Sequence, residues 1–408
     1  MRKLRLTALL FGTIAMFGCG GHSGSNSIPA PGVNELRIGG LLSLTGNWNT
    51  LGKASKAAME LARDDVNAYF AGQGLPTRVS LDIRDTKLQP DLAFAQFNTE
   101  ISHGAWAVVG PQSSSEVAAV KSVADSYSTP LISQGSTASS LSIAGDYVFR
   151  MVPDDVREAK ALVALLQADG IQAVVPVARN DAGNGGLYNS VTARFGDVGG
   201  QLSTGVRYDA TTTDFAATLA SIHSQVVDLE ATHSAAQVGV YLAGFDEVAQ
   251  ILSLAQSDPV LSAVHWYGSD GVVGSTALST NSGAAAFMTA HGFPSPIFGL
   301  DPGMVGSWSP IARRIKSRSG VDPDAFALSA YDAVWLAALA FQNGGSADHG
   351  AFRDSLVSTA STYTGVTGPT KFDAAGDREA GNFDFWSVNG TTWTQVAHYK
   401  ASDGSITR

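Results

Sequence analysis

Cysteine is almost absent from this sequence, since Cys19 is the single one among 408 residues. A chain with one cysteine forms no internal disulfide and no thiolate zinc site, so a body of this length must be held together by its apolar core. Charged residues are also scarce, at 15%, and the formal net charge is -10. An acidic surface of that size disfavours nucleic acid and anionic lipid as partners.

Long hydrophobic runs are missing as well, and the one run near the N-terminus is short. Leu6–Phe17 is a predominantly apolar run of 12 residues, well below the roughly 20 residues that a membrane-spanning helix needs. Three basic residues precede this run and Gly18 follows it, which is the pattern of a cleavable secretory signal. The sequence therefore predicts a signal peptide over residues 1–18 and no membrane span after it.

Cys19 directly follows this segment, and the arrangement resembles the lipobox of bacterial lipoproteins, in which a cysteine is lipidated and becomes the new N-terminus. Met16 and Phe17 stand where the lipobox prefers leucine and a small residue. The alternative is a soluble secreted chain whose cysteine is incidental. Residues 19–34 hold little apolar surface, which predicts a flexible tether between Cys19 and the folded body.

The sequence also lacks the common catalytic and nucleotide-binding motifs. It has no H-E-x-x-H and no G-x-S-x-G, and its glycine-rich segment NDAGNGG lacks the Walker lysine and the dinucleotide spacing. The eight histidines are dispersed along the chain, which is typical of structural or exposed imidazoles rather than metal ligands. These absences predict a protein that is not an enzyme and that needs no cofactor or metal.

What the sequence does contain is a regular alternation of strand-like and helix-like segments. The run 36–42 is nearly all apolar, as in a strand buried on both faces, and residues 53–70 then carry apolar residues four apart, as in a helix. Similar units continue to residue 133, and a second series runs from Pro153 to residue 269. Strands and helices joined by short links predict an α/β protein with two halves, each built on a parallel sheet.

Small hydroxyl residues and glycines concentrate in the loops directly after these strands, where parallel sheets bind ligands. One loop is GPQSSSE at 110–116, and another is QGSTASS at 134–140. Asp270 directly follows a third strand. Hydroxyls and the free amides of a helix start donate to a carboxylate, and an acid accepts from an ammonium, so these residues predict an amino-acid clamp. Two alternatives stay open: the serines as helix caps, and Asp270 as a turn residue before Gly271.

Seven segments in order resemble the periplasmic leucine/isoleucine/valine-binding protein family, the type I solute receptors of ABC importers. They are LRIGGLLSLTGNWNTLG, RDTKLQP, VVGPQSSSE, LISQGSTA, VYLAGFDEVAQIL, YGSDGV and GPTKFDAAGDREAGNFDFWSVNG. The resemblance covers essentially the whole chain after the signal. It implies the type I periplasmic-binding-protein fold, with two Rossmann-like lobes and parallel sheets joined by a three-crossing hinge.

The resemblance also implies where the lobes begin and end. Lobe 1 would comprise residues 35–152 and 284–367, and lobe 2 residues 153–283 and 368–408. The crossings would lie near Met151–Pro153, Asn281–Ala286 and Val366–Pro369. Closure of the two lobes would bury a solute from both sides.

Binding roles carry over from the family position by position. Ser114 would bind the ligand carboxylate, and Gly135 would offer its carbonyl to the ammonium. Thr137 would contact both ends of the ligand, and Asp270 would be the acidic partner of the ammonium. The predicted ligand-binding residues of these loops are Ser113, Ser114, Gly135, Ser136, Thr137 and Asp270.

Two aromatic positions depart from the family. Relatives often carry a ring in the loop that reads NDAGNGG here, where Gly183 stands instead. Some relatives have tryptophan at the position of Leu51, and Trp48 lies three residues earlier. We expect Trp48 to supply the stacking ring, with Tyr241 and Tyr267 as further candidates, and Gly183 to leave a roomier pocket.

The resemblance implies an extracytoplasmic receptor that captures a small amino acid or related polar solute and delivers it to an ABC permease in the inner membrane. Its location would be the periplasm or the cell surface, with lipidated Cys19 as the membrane anchor. The alternatives are a sensory receptor that reports to a signalling partner, and a binder of an amide or an aromatic acid.

Overall fold

The computed structural model describes residues 34–408, so the predicted signal peptide, Cys19 and nearly all of the predicted tether lie outside the described residues. The first elements are β1 (Glu35–Leu42), α1 (Asn49–Gly72), β2 (Arg78–Asp85), α2 (Pro90–Ser102), β3 (Ala107–Val109), α3 (Ser114–Ser126), β4 (Leu131–Ser133) and β5 (Val148–Arg150). They form a parallel sheet in the order β2-β1-β3-β4-β5. The predicted strands and helices of this part are therefore confirmed.

A second parallel sheet follows in the chain. Its elements are α4 (Asp155–Ala168), β6 (Ala173–Asn180), α5 (Ala182–Asp197), β7 (Gln201–Leu202), β8 (Val206–Asp209), α6 (Ala216–Glu230), β9 (Val238–Ala243), α7 (Val248–Ala255) and β10 (His265–Tyr267). The strand order is β10-β9-β6-β7, and β8 also pairs with β6. The central strands β6 and β9 are almost wholly buried, because helices cover both faces of the sheet.

The rest of the chain adds helices and an antiparallel sheet. The elements are α8 (Thr276–Thr280), α9 (Ser282–His291), β11 (Ser295–Gly299), α10 (Val305–Ser319), α11 (Ala325–Ala340), α12 (His349–Ala360), β12 (Thr364–Gly365), β13 (Gly368–Pro369), β14 (Asn382–Asn389), β15 (Thr392–Lys400) and β16 (Ser405–Thr407). β12 pairs with β13, and the larger sheet has the order β11-β14-β15-β16.

Each parallel sheet has its own apolar core, and these last elements divide between the two cores. Helices α10, α11 and α12 pack on the first sheet through side chains such as Ile315, Val334 and Phe352. Helix α9 packs against the second sheet through Phe287, and β14 does so through Phe385. The elements on the first sheet are called the first half below, and those on the second sheet the second half.

The chain passes between the halves three times, and the packing of the later elements bears on two of the passages. The segment 281–286 belongs to α9, which is in the second core, and β11 then pairs with β14, so the chain stays with the second half up to about Leu300. Phe372 packs against Phe149 in the first core (5.3 Å between ring centres), and the amide of Arg378 donates to the carbonyl of Arg150 (3.0 Å), so the chain stays with the first half up to Arg378. Periodicity marks a helix but does not indicate which of two sheets it covers.

Arg378 connects segments from all three passages. Its guanidinium donates to the carbonyl of Met151 (3.1 Å) and to both the hydroxyl and the carbonyl of Thr367 (2.8 Å each). It also lies over the ring of Phe298, 4.4 Å from the ring centre. Burial lowers the pKa of Arg378 to about 10, and the side chain remains a cation at neutral pH.

Helix α11 is unusually apolar. Together with the turn after it, α11 forms the segment Ala325–Gly345, which is the one helix within residues 34–408 that has the length and composition to cross a membrane. The sequence patterns described above do not identify this segment. In the structure 83% of its most apolar window is buried, and Val334 and Leu336 pack in the first core. The segment is therefore the central helix of a folded half.

Candidate functional site

The loops after the strands of the two sheets face each other across a narrow cleft. The cavity between them has a volume of about 10 Å³, which is room for about one water molecule. Seven of the eight predicted ligand-binding residues line it, and Ser136 is the exception. The lining residues are Trp48, Ser113, Ser114, Gly135, Thr137, Gly183, Asn184, Leu187, Phe245 and Asp270.

One wall of the cavity is the start of α3. Ser113 is the helix cap, because its Oγ accepts from the amide of Glu116 (3.4 Å) and donates to the Glu116 carboxylate (2.6 Å). Ser114 differs, since its Oγ contacts Ser136 Oγ (3.0 Å) and accepts from the amide of Ala138 (3.2 Å). The helix-cap alternative thus describes Ser113, whereas Ser114 adds a hydroxyl beside the free amides of the helix start. This wall suits an anionic group.

The loop after β4 continues the same wall. A side chain at Gly135 would place its Cβ 2.9 Å from the carbonyl of Gln112, so only glycine fits this close approach. Ser136 lies behind the wall, where it supports Ser114. The hydroxyl of Thr137 points across the cleft and donates to Asp270 (3.4 Å).

Asp270 forms the opposite wall. It opens a short turn, Asp270–Val272, as the turn interpretation has it, and it also lines the cavity. Burial raises the pKa of Asp270 to about 7, although the Gly271 amide and the Thr137 hydroxyl favour its ionised form. A cation in the cleft would favour the ionised form further.

Two acids that the sequence reading missed lie near Asp270. Asp155 and Glu158 sit on the first turns of α4 and are almost fully buried. Burial raises the pKa of Asp155 to about 8, and burial with the neighbouring Asp270 raises the pKa of Glu158 well above its ordinary value. Tyr241 faces the same acids, and its hydroxyl has no hydrogen-bond partner among residues 34–408. In the sequence, these two acids could have been identified by their three-residue spacing on a helix that directly follows a passage of the chain between the halves.

Aromatic rings close the cavity from the side. Trp48 is 3% exposed, and its ring lies 4.7 Å from that of Phe245, between the ring centres. The two residues come from opposite halves, so the predicted ring has a partner that the sequence did not indicate. Tyr267 donates to Asp169 instead (2.8 Å) and lies in the second core. Gly183 lines the cavity, and a Cβ there would lie 3.5 Å from Ser114 Oγ, an ordinary van der Waals contact across the cleft.

Direct hydrogen bonds join the two halves around the cavity. Asn47 donates to the Glu247 carboxylate (2.7 Å) and accepts from the amide of Asp246 (2.8 Å). The hydroxyls of Thr50 and Thr276 lie 2.9 Å apart. These contacts and the small cavity show a closed cleft, so a solute larger than water enters only if the halves separate.

The chemistry of the lining suits a small solute with charge at both ends. Donors line one wall, the carboxyl of Asp270 lines the other, and rings lie between them. In the part of the chain that the structure describes, no group of three or more histidine or acidic residues is placed to hold a metal ion, the acids around Asp270 included.

Known proteins of several kinds are similar to this chain. A family model described as the receptor family ligand binding region matches residues 54–391. An uncharacterized protein of Methanocaldococcus jannaschii is 25% identical over 422 aligned positions, which cover 98% of both chains. Glutamate receptor 3.4 of Arabidopsis thaliana is 23% identical over 395 positions, covering 87% of this chain and 39% of the receptor.

Solved structures with the same fold include three from bacterial transporters. The branched-chain amino acid substrate-binding protein LivJ of Streptococcus pneumoniae, in complex with isoleucine, has a TM-score of 0.73 at 22% identity, covering 89% of this chain and 99% of that one. The leucine-binding protein LivK of Thermotoga maritima has 0.73 at 18% identity (90% and 99% covered), and a benzoate complex from R. palustris has 0.72 at 18% (89% and 96%). These similarities confirm the predicted type I periplasmic-binding-protein fold.

Proposed function

The chain belongs to the receptor ligand-binding family, and we propose that its mature body is an extracytoplasmic solute receptor that captures an amino acid between its two halves and passes it to an ABC importer. One observation carries the proposal: the donor-rich start of α3 at Ser114 faces the buried carboxyl of Asp270 across a single cleft. A carboxylate at one end of the ligand and an ammonium at the other match these two walls.

The ligand class follows from charge. LivJ binds isoleucine, whereas the similar protein from R. palustris binds benzoate, so the fold alone does not choose between them. An aromatic acid has no ammonium and would leave Asp270 buried beside it without a cation, which is unfavourable. Asp270 on this wall therefore favours a ligand with a protonated amine over an amide or an aromatic acid.

Capture would depend on movement of the halves. Trp48 and Ser114 belong to the first half, and Phe245, Gly183 and Asp270 to the second, so only the closed form brings all contacts together. Core membership of the elements supports lobe boundaries at the first passage near Met151, the second near Leu300 and the third after Arg378. In the absence of chemistry at the site, the ligand would be released unchanged.

A thermal-shift screen of the chain from residue 34 onward tests the proposal. The panel would hold L-amino acids, their amides and aromatic acids. A ligand present at about 100 times its dissociation constant adds about 2.7 kcal/mol to the free energy of unfolding. Stabilisation by L-amino acids but not by their amides or by aromatic acids would support the proposal. Stabilisation by benzoate alone would overturn the amino-acid assignment.

A sensory receptor is the second candidate, and the similarity to a plant glutamate receptor favours it. The two candidates differ in partner rather than in ligand binding. Reconstitution with a candidate permease in vesicles distinguishes them, because ligand-dependent stimulation of ATP hydrolysis is expected only for an importer.

We further propose that Cys19 is lipidated and holds the receptor at a membrane. The segment up to residue 34 would then separate the acidic body from the membrane surface. In the native host, Cys19→Ser should move the protein from the membrane fraction to the soluble fraction, measured by fractionation and immunoblotting. A wild-type chain found entirely in the soluble fraction would end this part of the proposal and leave the receptor function untouched.

A further inference from the structure

A second and much larger cavity lies outside the cleft, on the second half. Its volume is about 240 Å³, compared with about 10 Å³ in the cleft, so it has room for a small solute while the cleft is shut. Helix α4 forms one side of this cavity, and the start of β14 and the end of β15 form its floor. The third side is the segment 379–381, in which the chain passes from the first half into β14.

One cation in the lining is available to a ligand. Lys160 on α4 is exposed and has no ion-pair partner among residues 34–408. Arg157, one helical turn earlier, is already held by two aspartates at 3.2 and 3.3 Å. Glu379 is the acid in the lining, and it pairs with Lys371 (2.7 Å). A carboxylate entering the cavity would therefore gain an ion pair with Lys160 without breaking an existing one.

The floor of the cavity is apolar. Phe383 and Tyr399 are 2% and 8% exposed and belong to the second core. Small residues complete the lining, namely Ala380, Gly381 and Ala401. Exposed cationic side chains thus lie beside aromatic surface, a combination that suits a carboxylate with a short apolar body.

One side of the cavity is also part of the hinge. A Cβ at Gly381 would lie 2.5 Å from the ring of Phe298, in β11, and 2.9 Å from Pro153, which follows the first passage. The third passage is therefore packed against segments next to the other two. Arg157 adds a link between the halves, because its partner Asp373 lies in the segment that packs on the first half. Since opening of the cleft must rotate these passages, we expect this side of the cavity to change shape when the halves separate.

We propose that this cavity is a second, regulatory site, which binds a small carboxylate with an apolar body and thereby favours the closed form. The carboxylate would pair with Lys160 beside Arg157, and the apolar body would cover Phe383 and Tyr399. The regulatory part rests on the proposed function, because it requires that closure captures an amino acid. Since the cavity has this shape in the closed form, a ligand there and a ligand in the cleft favour the same state, and each strengthens the binding of the other.

A thermal-shift titration tests the site without an amino acid. Hexanoate is the probe, and hexanamide, which has the same body without the charge, is its control. Hexanoate should raise the melting temperature of the mature protein in a saturable way, and hexanamide should not. Lys160→Glu reverses the charge of an exposed side chain and should abolish the effect. Lys316→Glu, at an exposed lysine of α10 in the first half, changes the net charge equally and should leave the effect intact.

A calorimetric titration with L-isoleucine tests the regulation. Saturating hexanoate should tighten L-isoleucine binding about fivefold or more in the wild type and in Lys316→Glu, and it should have no effect in Lys160→Glu. Without hexanoate, Lys160→Glu should bind L-isoleucine like the wild type, because Lys160 does not line the cleft.

The outcomes are distinct. If hexanoate fails to stabilise the wild type, stabilises Lys160→Glu equally, or competes with L-isoleucine, the assignment of the site is wrong. If it binds through Lys160 but leaves the affinity for L-isoleucine unchanged, the regulatory role is wrong. If no L-amino acid binds the wild type, the proposed function fails, and the comparison of Lys160→Glu with Lys316→Glu still decides whether the cavity binds a carboxylate.

Discussion

At the scale of single residues, the site depends on a buried carboxyl group with no cation beside it. Asp270 is 5% exposed, and the Thr137 hydroxyl donates to its carboxyl at 3.4 Å. Such a group gains most when a ligand brings a positive charge, because a buried charge is costly until it is paired.

Asp270→Asn tests this dependence. The variant should weaken binding of an L-amino acid by about 2–5 kcal/mol, since the ammonium then enters a buried site without its acid. It should also abolish the rise of affinity with pH through about 7, where the wild-type carboxyl ionises. Asp228→Asn, an exposed acid on α6, should change neither quantity in the same titrations. Unaltered affinity in Asp270→Asn would show that the ligand's ammonium does not bind at this wall.

The hydroxyl and acidic residues that directly follow strands could be predicted from the sequence, and residues that depend on contact between the halves could not. Ser114, Thr137 and Asp270 are set by the strand before them. Phe245 also follows a strand, β9, but it closes the cavity only because its ring meets Trp48 of the other half. That placement depends on packing between halves, which no local pattern contains.

At the scale of elements, the start of α1 is pressed against the end of β1. A Cβ at Gly52 would lie 1.8 Å from the carbonyl oxygen of Ser43, whereas a Cβ at Gly72, the last residue of the same helix, meets no atom within 4 Å. Trp48 immediately precedes α1, so any shift of the helix start also moves the ring that closes the cleft.

Gly52→Ala should therefore lower the free energy of unfolding by about 1–3 kcal/mol and weaken ligand binding. Gly72→Ala is the control on the same helix, and it should raise stability by about 0.4–1 kcal/mol with no change in affinity. Chemical denaturation and calorimetric titration measure both effects. Equal behaviour of the two variants would mean that α1 moves freely against β1.

The three chain passages meet at another element-scale feature, the buried guanidinium of Arg378. Arg378→Met removes its bonds to Met151 and Thr367 and leaves those buried carbonyls without a donor, so we expect a loss of about 3 kcal/mol in the free energy of unfolding. Arg313→Met, on the exposed side of α10, should cost less than about 0.5 kcal/mol. A loss confined to ligand affinity, with stability intact, would contradict this structural role.

At the scale of the whole molecule, the contacts across the cleft imply that ligand capture involves closure of the two halves. The sequence predicted two α/β halves from alternating periodicities, and the two parallel sheets confirm them. Local periodicity does not indicate where the chain passes between the halves, because the affiliation of α9 and of the segment around Phe372 is decided by long-range packing.

A reversible cross-link tests closure. In a Cys19→Ser background, Thr50→Cys with Thr276→Cys should form a disulfide across the cleft, since the two hydroxyls lie 2.9 Å apart in the closed form. Oxidation should abolish uptake of an amino acid because the halves then cannot separate, and a reducing agent should restore it. Thr50→Cys alone is the control for the substitution. Full binding by the oxidised double variant would show that solute enters without separation of the halves.

The contact between Trp48 and Phe245 has an optical consequence. Indole fluorescence responds to the polarity around the ring, and this indole is buried against a ring from the opposite half when the cleft is shut. Separation would wet the indole and red-shift its emission. The other six of the seven tryptophans add background emission, which is measured in Trp48→Phe and subtracted. The emission of Trp48 therefore reports separation of the halves, and it can be followed in real time without an attached dye.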